Sequence, residues 1–166
     1  VNEQVSQAMG FEFCGKNKIG YRGILYGSYM KTEKGLKVIE YNSRFGDPEC
    51  INGLHLLEQS LHDIFTQMLE GNIIDKNNFT FKKEATVVKY LVPEGYPSNP
   101  LTDFDVYFNE EIKKKYSDRF YYASITHEDN HLKTLKSRTI AVLGQGKNLH
   151  NAAKQANMLC KNIYGK

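Results

Sequence analysis

Leu36-Lys37-Val38-Ile39-Glu40-Tyr41-Asn42-Ser43-Arg44-Phe45-Gly46-Asp47-Pro48-Glu49 is the stretch that decides the fold. Its first half, Leu36 to Asn42, is rich in β-branched and aromatic residues and reads as a strand. Side chains alternate across a strand, so Glu40, Asn42 and, if the strand continues, Arg44 share one face. Same-face neighbours lie roughly 6.5 to 7 Å apart along the backbone, so side-chain oxygens of Glu40 and Asn42 can converge on one hard cation such as magnesium. Arg44 beyond them suits a phosphate, through a forked pair of charged hydrogen bonds. The same E-x-N spacing also fits a solvated strand face near a sheet edge, and spacing alone leaves both open. The second half, Phe45-Gly46-Asp47-Pro48-Glu49, is a tight polar turn at a strand end. There Gly46 allows positive φ and Pro48 fixes the turn.

Upstream, Gly23 to Met30 is a second strand candidate, joined to the first by the polar linker Lys31 to Gly35 as in a hairpin. Residues 1–13 resemble a helix end, with Val5, Ala8 and Met9 at helical spacing and Gly10 as a stop. Downstream, Leu54, Leu57, Leu61, Ile64, Phe65 and Met68 recur at three- and four-residue steps and predict one helix, with Gly71 where a C-terminal cap belongs. Periodicity lapses over 72–83, which marks a boundary between a first part, 1–75, and a second, 84–166.

The second part opens with a strand, Ala85 to Val92, that breaks at Pro93-Glu94-Gly95-Tyr96-Pro97. Further strands are expected at Phe104 to Phe108, Phe120 to Ile125 and Thr139 to Leu143. A last helix carries Leu149, Ala152, Ala153, Ala156, Leu159, Cys160 and Ile163 on one stripe, with Asn148 as N-cap. Glu110 to Lys115 reads as a solvated helical turn or loop.

The chain has 166 residues, 40% hydrophobic and 25% charged, with nine Phe and eleven Tyr. That supplies a core and excludes disorder as the main state. No apolar run approaches the roughly 20 residues of a membrane helix, so no membrane partner is expected. A net charge of +3 is too weak to argue for nucleic acid, and the tyrosines follow no basic stripe. Cys14, Cys50 and Cys160 form no CxxC pair and, being odd in number, cannot all be bridged, which favours a reducing compartment such as the cytoplasm. Val1-Asn2-Glu3-Gln4 shows no secretory signal, and an opening inside a helix-like pattern suggests a piece of a longer protein.

Other residues read as structural. His55 and His62, seven apart, are too widely spaced for a helical zinc site and suit surface or packing roles. His127 with Glu128 and Asp129 reads as a loop, and Cys160 as a small core residue. Gly144-Gln145-Gly146-Lys147 lacks the first half and the Ser or Thr of a phosphate loop and reads as a strand-to-helix turn.

Leu25 to Met30 and Val38 to Glu49, taken together, resemble the glycinamide ribonucleotide synthetase (phosphoribosylamine–glycine ligase) family, ATP-grasp enzymes of purine biosynthesis. The family's strand, turn, strand and E-F-N-x-R-F-G-D-P-E order is matched with Tyr41 in place of Phe. Val87-Val88 with Gly95-Tyr96-Pro97, and Arg138 to Gly144, are similar to later family segments. The resemblance implies an α+β fold: the C-terminal half of an ATP-grasp domain, an antiparallel sheet with packed helices, followed by a small β-rich mixed domain.

It also implies a reaction in which ATP activates glycine's carboxylate to an acyl phosphate that the amine of 5-phosphoribosylamine attacks. Glu40 and Asn42 would then hold magnesium or manganese on the ATP phosphates, Arg44 would be catalytic in steadying phosphate, and Asp47 and Pro48 would border the phosphoribosylamine. A missing N-terminal part of the same protein would supply the amine-substrate domain and the glycine-rich lid.

Three departures stand beside this: Lys136-Ser137 where the family has Gly-Gly, Cys50-Ile51 where it has Thr-Gln, and a poorly matched 98–135. They leave room for an alternative, a non-catalytic interaction module derived from the ATP-grasp fold.

Overall fold

The computed structural model describes Val5 and residues 21–70, 79–129 and 131–165. The expected helix end over 1–13, apart from Val5, and the Gly71 cap lie outside the described residues. Contacts divide the chain into Val1–Glu49 with Leu57–Phe81, and Cys50–Leu56 with Lys82–Lys166. The expected division at 72–83 had Cys50–Leu56 in the first part; the contacts group it with the second.

The first unit is built on an antiparallel hairpin, β1 (Tyr26–Thr32) and β2 (Gly35–Asn42). β1 starts three residues later than expected, where Tyr21 caps the approach by donating its hydroxyl to the Ile24 carbonyl at 2.6 Å. It runs on to Thr32, leaving only Glu33 and Lys34 in the turn. The register pairs Tyr26 with Asn42, Gly27 with Tyr41 and Ser28 with Glu40, then Tyr29 with Val38, so Ile39 is the extra residue of a β-bulge. Met30, Leu36 and Ile39 are each more than half exposed, at 56%, 55% and 57%.

The single helix predicted through Leu54 and Met68 is two helices, α1 (Glu49–Leu56) and α2 (Leu61–Glu70). The break has a clear cause. Leu57 bridges to Phe81, and Glu58 donates its amide to the Thr80 carbonyl at 3.1 Å. Gln59 exchanges two hydrogen bonds with Thr80, at 2.9 and 3.1 Å. These backbone groups pair sideways instead of along a helix, a competition that apolar periodicity does not register.

The second unit contains β3 (Ala85–Leu91), β4 (Asp105–Phe108), α3 (Glu110–Lys115), a 3₁₀ turn at Ser117–Arg119, β5 (Phe120–Tyr122), β6 (Ile125–Glu128), β7 (His131–Thr134), β8 (Ile140–Gly146), α4 (Leu149–Cys160) and β9 (Ile163–Gly165). All pairings are antiparallel, in a three-stranded sheet ordered β3-β8-β5 and a four-stranded sheet ordered β6-β7-β4-β9. The one strand expected over Phe120 to Ile125 is two, because Phe120–Tyr122 pairs with β8 while Ile125–Glu128 pairs with β7. His127 and Glu128 therefore lie in a strand, not in a loop. Asn109 caps α3 by accepting from the Ile112 amide, so the Lys-rich segment is a true helix.

Among the described residues, every buried apolar side chain belongs to this second unit. Ile140, Ala141, Val142 and Leu143 are fully buried in the central strand, and Leu159 is fully buried on α4. Burying a side chain of that size contributes roughly 1.5 to 3 kcal/mol. Phe108 meets Phe120 edge to face at 5.3 Å between ring centroids.

β8 reaches Gly146, past the end expected at Leu143, because Gly144 to Gly146 pair with Val87 to Ala85 of β3, and Gly144 lies against α4. A Cβ on Gly144 would strike the Ala152 carbonyl oxygen and the Ala156 amide. Ala152 and Ala156, one turn apart, make the matching flat stripe. The Gly-Gln-Gly stretch is thus a strand packed on a helix rather than a strand-to-helix turn. Asn148 caps α4 as expected, accepting from the Asn151 amide at 2.9 Å. Leu149, expected on the apolar stripe, is 68% exposed, and Ile163 lies in β9 beyond the helix.

α1 joins this unit through Cys50–Leu56. His55 Nε2 lies 2.9 Å from Gln145 Oε1, and the Lys82 amide donates to the Leu56 carbonyl at 2.9 Å. His55 is therefore a packing histidine.

Candidate functional site

Alternation along the hairpin puts Tyr26 and Ser28 of β1 on the same face as Asn42 and Glu40 of β2, each directly opposite its partner. On that face Asn42 Nδ2 donates to Glu40 Oε1 at 2.9 Å. The structure brings these two side chains together, with the Asn42 amide nitrogen rather than its oxygen turned toward Glu40. Arg44 does not extend the face as a strand residue, because β2 ends at Asn42. Its exposed guanidinium instead donates to the Phe45 carbonyl at 2.9 Å.

After the strand, the chain folds back under β1. Tyr26 donates its phenol to Glu49 Oε1 at 3.0 Å, across 23 positions of sequence. Gly46 is buried between them: a Cβ there would come within 2.7 Å of the Tyr26 ring and 2.8 Å of Glu49 Oε2. Glycine is needed at this position for close approach. Asp47 is exposed beside it, joined to Pro48 by a cis peptide bond. The hydrogen bond to Glu49 is the largest cause raising the Tyr26 phenol above its ordinary pKa, followed by desolvation and the charges of Glu49 and Glu40, while the Ser28 hydroxyl works the other way. Tyr26 is thus held as a protonated donor among carboxylates.

The donor set fits a magnesium or manganese ion. Glu40 offers a carboxylate, and turning over the Asn42 amide puts its oxygen where the nitrogen now meets Glu40. Two protein oxygens suit a cation that keeps several waters and substrate phosphates as further ligands. Among the described residues there is no group of three or more His, Cys, Asp or Glu able to cage a metal.

On the reverse face, Tyr29 and Tyr41 meet edge to face at 5.9 Å, and the Tyr29 hydroxyl donates to that of Tyr41 at 3.1 Å.

The sequence marks Gly46 and Glu49 only as parts of a polar turn and assigns Tyr26 and Ser28 no site role. Gly46 does not take the positive φ the turn reading allowed, and serves close approach instead. The signal for Tyr26 and Ser28 was the alternation of β1, readable only once the register against Asn42 and Glu40 is known. For Glu49 there was no local signal, since its partner is in another element. Cys160 is half-buried, and burial pushes its thiol up, which suits a packing role. Among the described residues no helix is long and apolar enough to cross a membrane.

The family model described as phosphoribosylglycinamide synthetase, ATP-grasp (A) domain, matches residues 3–50, and the C-domain model of the same family matches residues 86–166. A phosphoribosylamine–glycine ligase of Methanoregula boonei is 43% identical over 145 residues, 87% of this chain and 33% of that protein. One of Thermococcus gammatolerans is 44% identical over 145 residues, 87% of this chain and 32% of that protein. The chain thus spans about a third of the length of these curated relatives. The crystal structure of a phosphoribosylamine–glycine ligase from Thermotoga maritima shares the fold, with a TM-score of 0.74 at 23% identity, over 95% of this chain and 37% of that one. With both domain models matched in order and the antiparallel α+β architecture shared, the chain belongs to the phosphoribosylglycinamide synthetase family, contributing ATP-grasp (A) domain and C-domain sequence.

Proposed function

We propose that the chain is the carboxyl-terminal portion of an ATP-dependent ligase that joins glycine to 5-phosphoribosylamine in purine biosynthesis. Glycine's carboxylate takes the terminal phosphoryl group of ATP to give glycyl phosphate. The amine of 5-phosphoribosylamine then attacks its carbonyl carbon and phosphate leaves. The observation that carries this is the convergence of Glu40 and Asn42 on one strand face, next to the Gly46-Asp47-Pro48 turn.

In this reading Glu40 and Asn42 hold magnesium or manganese. When bound, the ion supplies positive charge against the phosphoryl oxygens. Arg44 is catalytic: its guanidinium, exposed and one residue past Ser43, orients an anionic oxygen of phosphate or acyl phosphate. Asp47 and Pro48 border the phosphoribosylamine. The glycine-rich lid over the triphosphate and the domain for the amine substrate come from an N-terminal part of the same protein, in keeping with relatives about three times as long. A cytoplasmic location follows from the substrates.

The test is to follow phosphate release by the complete protein with ATP, magnesium, glycine and freshly generated phosphoribosylamine. Release that depends on both glycine and the amine supports the reading. Release indifferent to either removes it. A protein that binds ATP without turning over would instead favour the non-catalytic module.

A further inference from the structure

We propose that Tyr26 is a positioning residue of this site: through its ring on Gly46 and its hydroxyl on Glu49 it straps the Gly46-Asp47-Pro48 turn to β1, beside Glu40 and Asn42. The inference rests on the ligase reading for its catalytic consequence, but the strap itself is a property of the fold.

Two contacts made by one side chain carry it. The hydroxyl reaches Glu49 Oε1 at 3.0 Å, on the far side of the turn. The ring lies so near the Gly46 backbone that a Cβ there would have no room. Tyr26 is itself paired with Asn42 in the hairpin register, so one residue touches the start, the middle and the end of the segment from Asn42 to Glu49.

The segment needs such a strap. Ser43, Arg44, Asp47 and Glu49 are all exposed, and Gly46 is the one residue of 43–49 that is buried. The Tyr26 ring, from outside that segment, lies nearest to where a Gly46 side chain would stand. An exposed turn with so little burial gains little rigidity from packing, so an anchor to the neighbouring strand bears on its geometry. Ser28 and Glu40, opposite one another next along the hairpin, place the anchor and the candidate ligand on the same rigid pair of strands. The strap therefore holds Asp47 and Pro48 in register with Glu40 and Asn42, as outer-shell partners orient ligands elsewhere.

The variants isolate the hydroxyl bond, which closes the strap. In the complete protein, Tyr26→Phe keeps the ring on Gly46 and deletes the hydrogen bond. Glu49→Gln keeps an acceptor for Tyr26 while removing the charge, and should preserve the turn. The first readout is hydrogen exchange at the amides of residues 46, 47 and 49. Tyr26→Phe should exchange several-fold faster there and Glu49→Gln at the wild-type rate, with β8 amides unchanged in both.

The second readout is the KM for phosphoribosylamine, which Tyr26→Phe should raise several-fold with the magnesium requirement unchanged, because the strap acts on the turn that carries Asp47 and Pro48. Unchanged exchange in Tyr26→Phe would overturn the strap, whether or not the protein turns over. Faster exchange with an unchanged KM for phosphoribosylamine would overturn the positioning role. A wild-type protein without glycine-dependent turnover would remove the ligase reading and, with it, the catalytic part of the inference, while the exchange measurement still decides the strap.

Discussion

Asn42 Nδ2 donates to Glu40 Oε1 over 2.9 Å, two residues apart on one strand face and opposite Tyr26 and Ser28. The contact is local, and Glu40 is exposed, so the pair contributes little to folding. Its consequence is chemical. In the complete protein Glu40→Ala should lower turnover by on the order of a hundredfold or more, the scale of losing one preorganised charge-stabilising group. Stability should move by no more than about 0.5 kcal/mol, as for surface substitutions. Steady-state kinetics at saturating magnesium, with urea unfolding alongside, checks both; wild-type turnover would remove Glu40 from the site.

Gly144 governs the packing of β8 on α4. Gly144→Ala drives a methyl group into the Ala152 carbonyl and Ala156 amide, backbone atoms that cannot rotate away. The expected cost is about 1 to 3 kcal/mol or somewhat more, the usual range for overpacking. Chemical denaturation measures it. A neutral outcome would mean that α4 sits farther from the strand than this packing requires.

Tyr107 adds to the alkaline sensitivity of the fold. Its hydrogen bond to Asp105, with desolvation and the charges of Asp105 and Tyr164, raises its phenol above the ordinary value. The folded state then holds the proton more tightly than the unfolded chain. The associated stability is fully present below the unfolded value of about 10 and is lost as pH rises through the folded one. A difference titration of phenolate absorbance, wild type minus Tyr107→Phe, should show a late-ionising group that appears at the ordinary pH in urea. Ionisation at the same pH in both conditions would contradict the assignment.

The 166-residue chain alone should not turn over glycine. Holding ATP, glycine and amine in register is worth roughly 7 to 11 kcal/mol of the barrier, and Glu40 lies on an exposed hairpin where water competes and charge is screened. Phosphate release by the purified chain, with all substrates and magnesium, should show no glycine dependence. Turnover within about tenfold of a full-length relative, a difference of only some 1.4 kcal/mol in barrier, would mean that the whole site lies within these residues.

Much of the architecture was legible because its signals are local. The hairpin, β3, β8 and α4 appear near where alternation, turn residues and the Asn148 cap place them. Departures share one physical origin, pairing with distant backbone. α1 and α2 are separate because Leu57 to Gln59 bond to residues 80 and 81. Phe120 to Ile125 splits because its two ends pair with different strands. β8 runs to Gly146 because Gly144, Gln145 and Gly146 pair with Val87, Thr86 and Ala85 of β3.

The same line divides the site. Sequence by itself determined that Glu40 and Asn42 point the same way, since strand alternation admits no other arrangement two residues apart. It determined too that a tight polar turn follows them. Only the tertiary structure decided that Tyr26, twenty positions before Gly46, lies over that glycine and bonds Glu49. That contact depends on the register of β1 against β2, which a bulge at Ile39 offsets by one residue. No reading of either strand alone contains that offset, because register is set by the pairing of two segments and not by the composition of one.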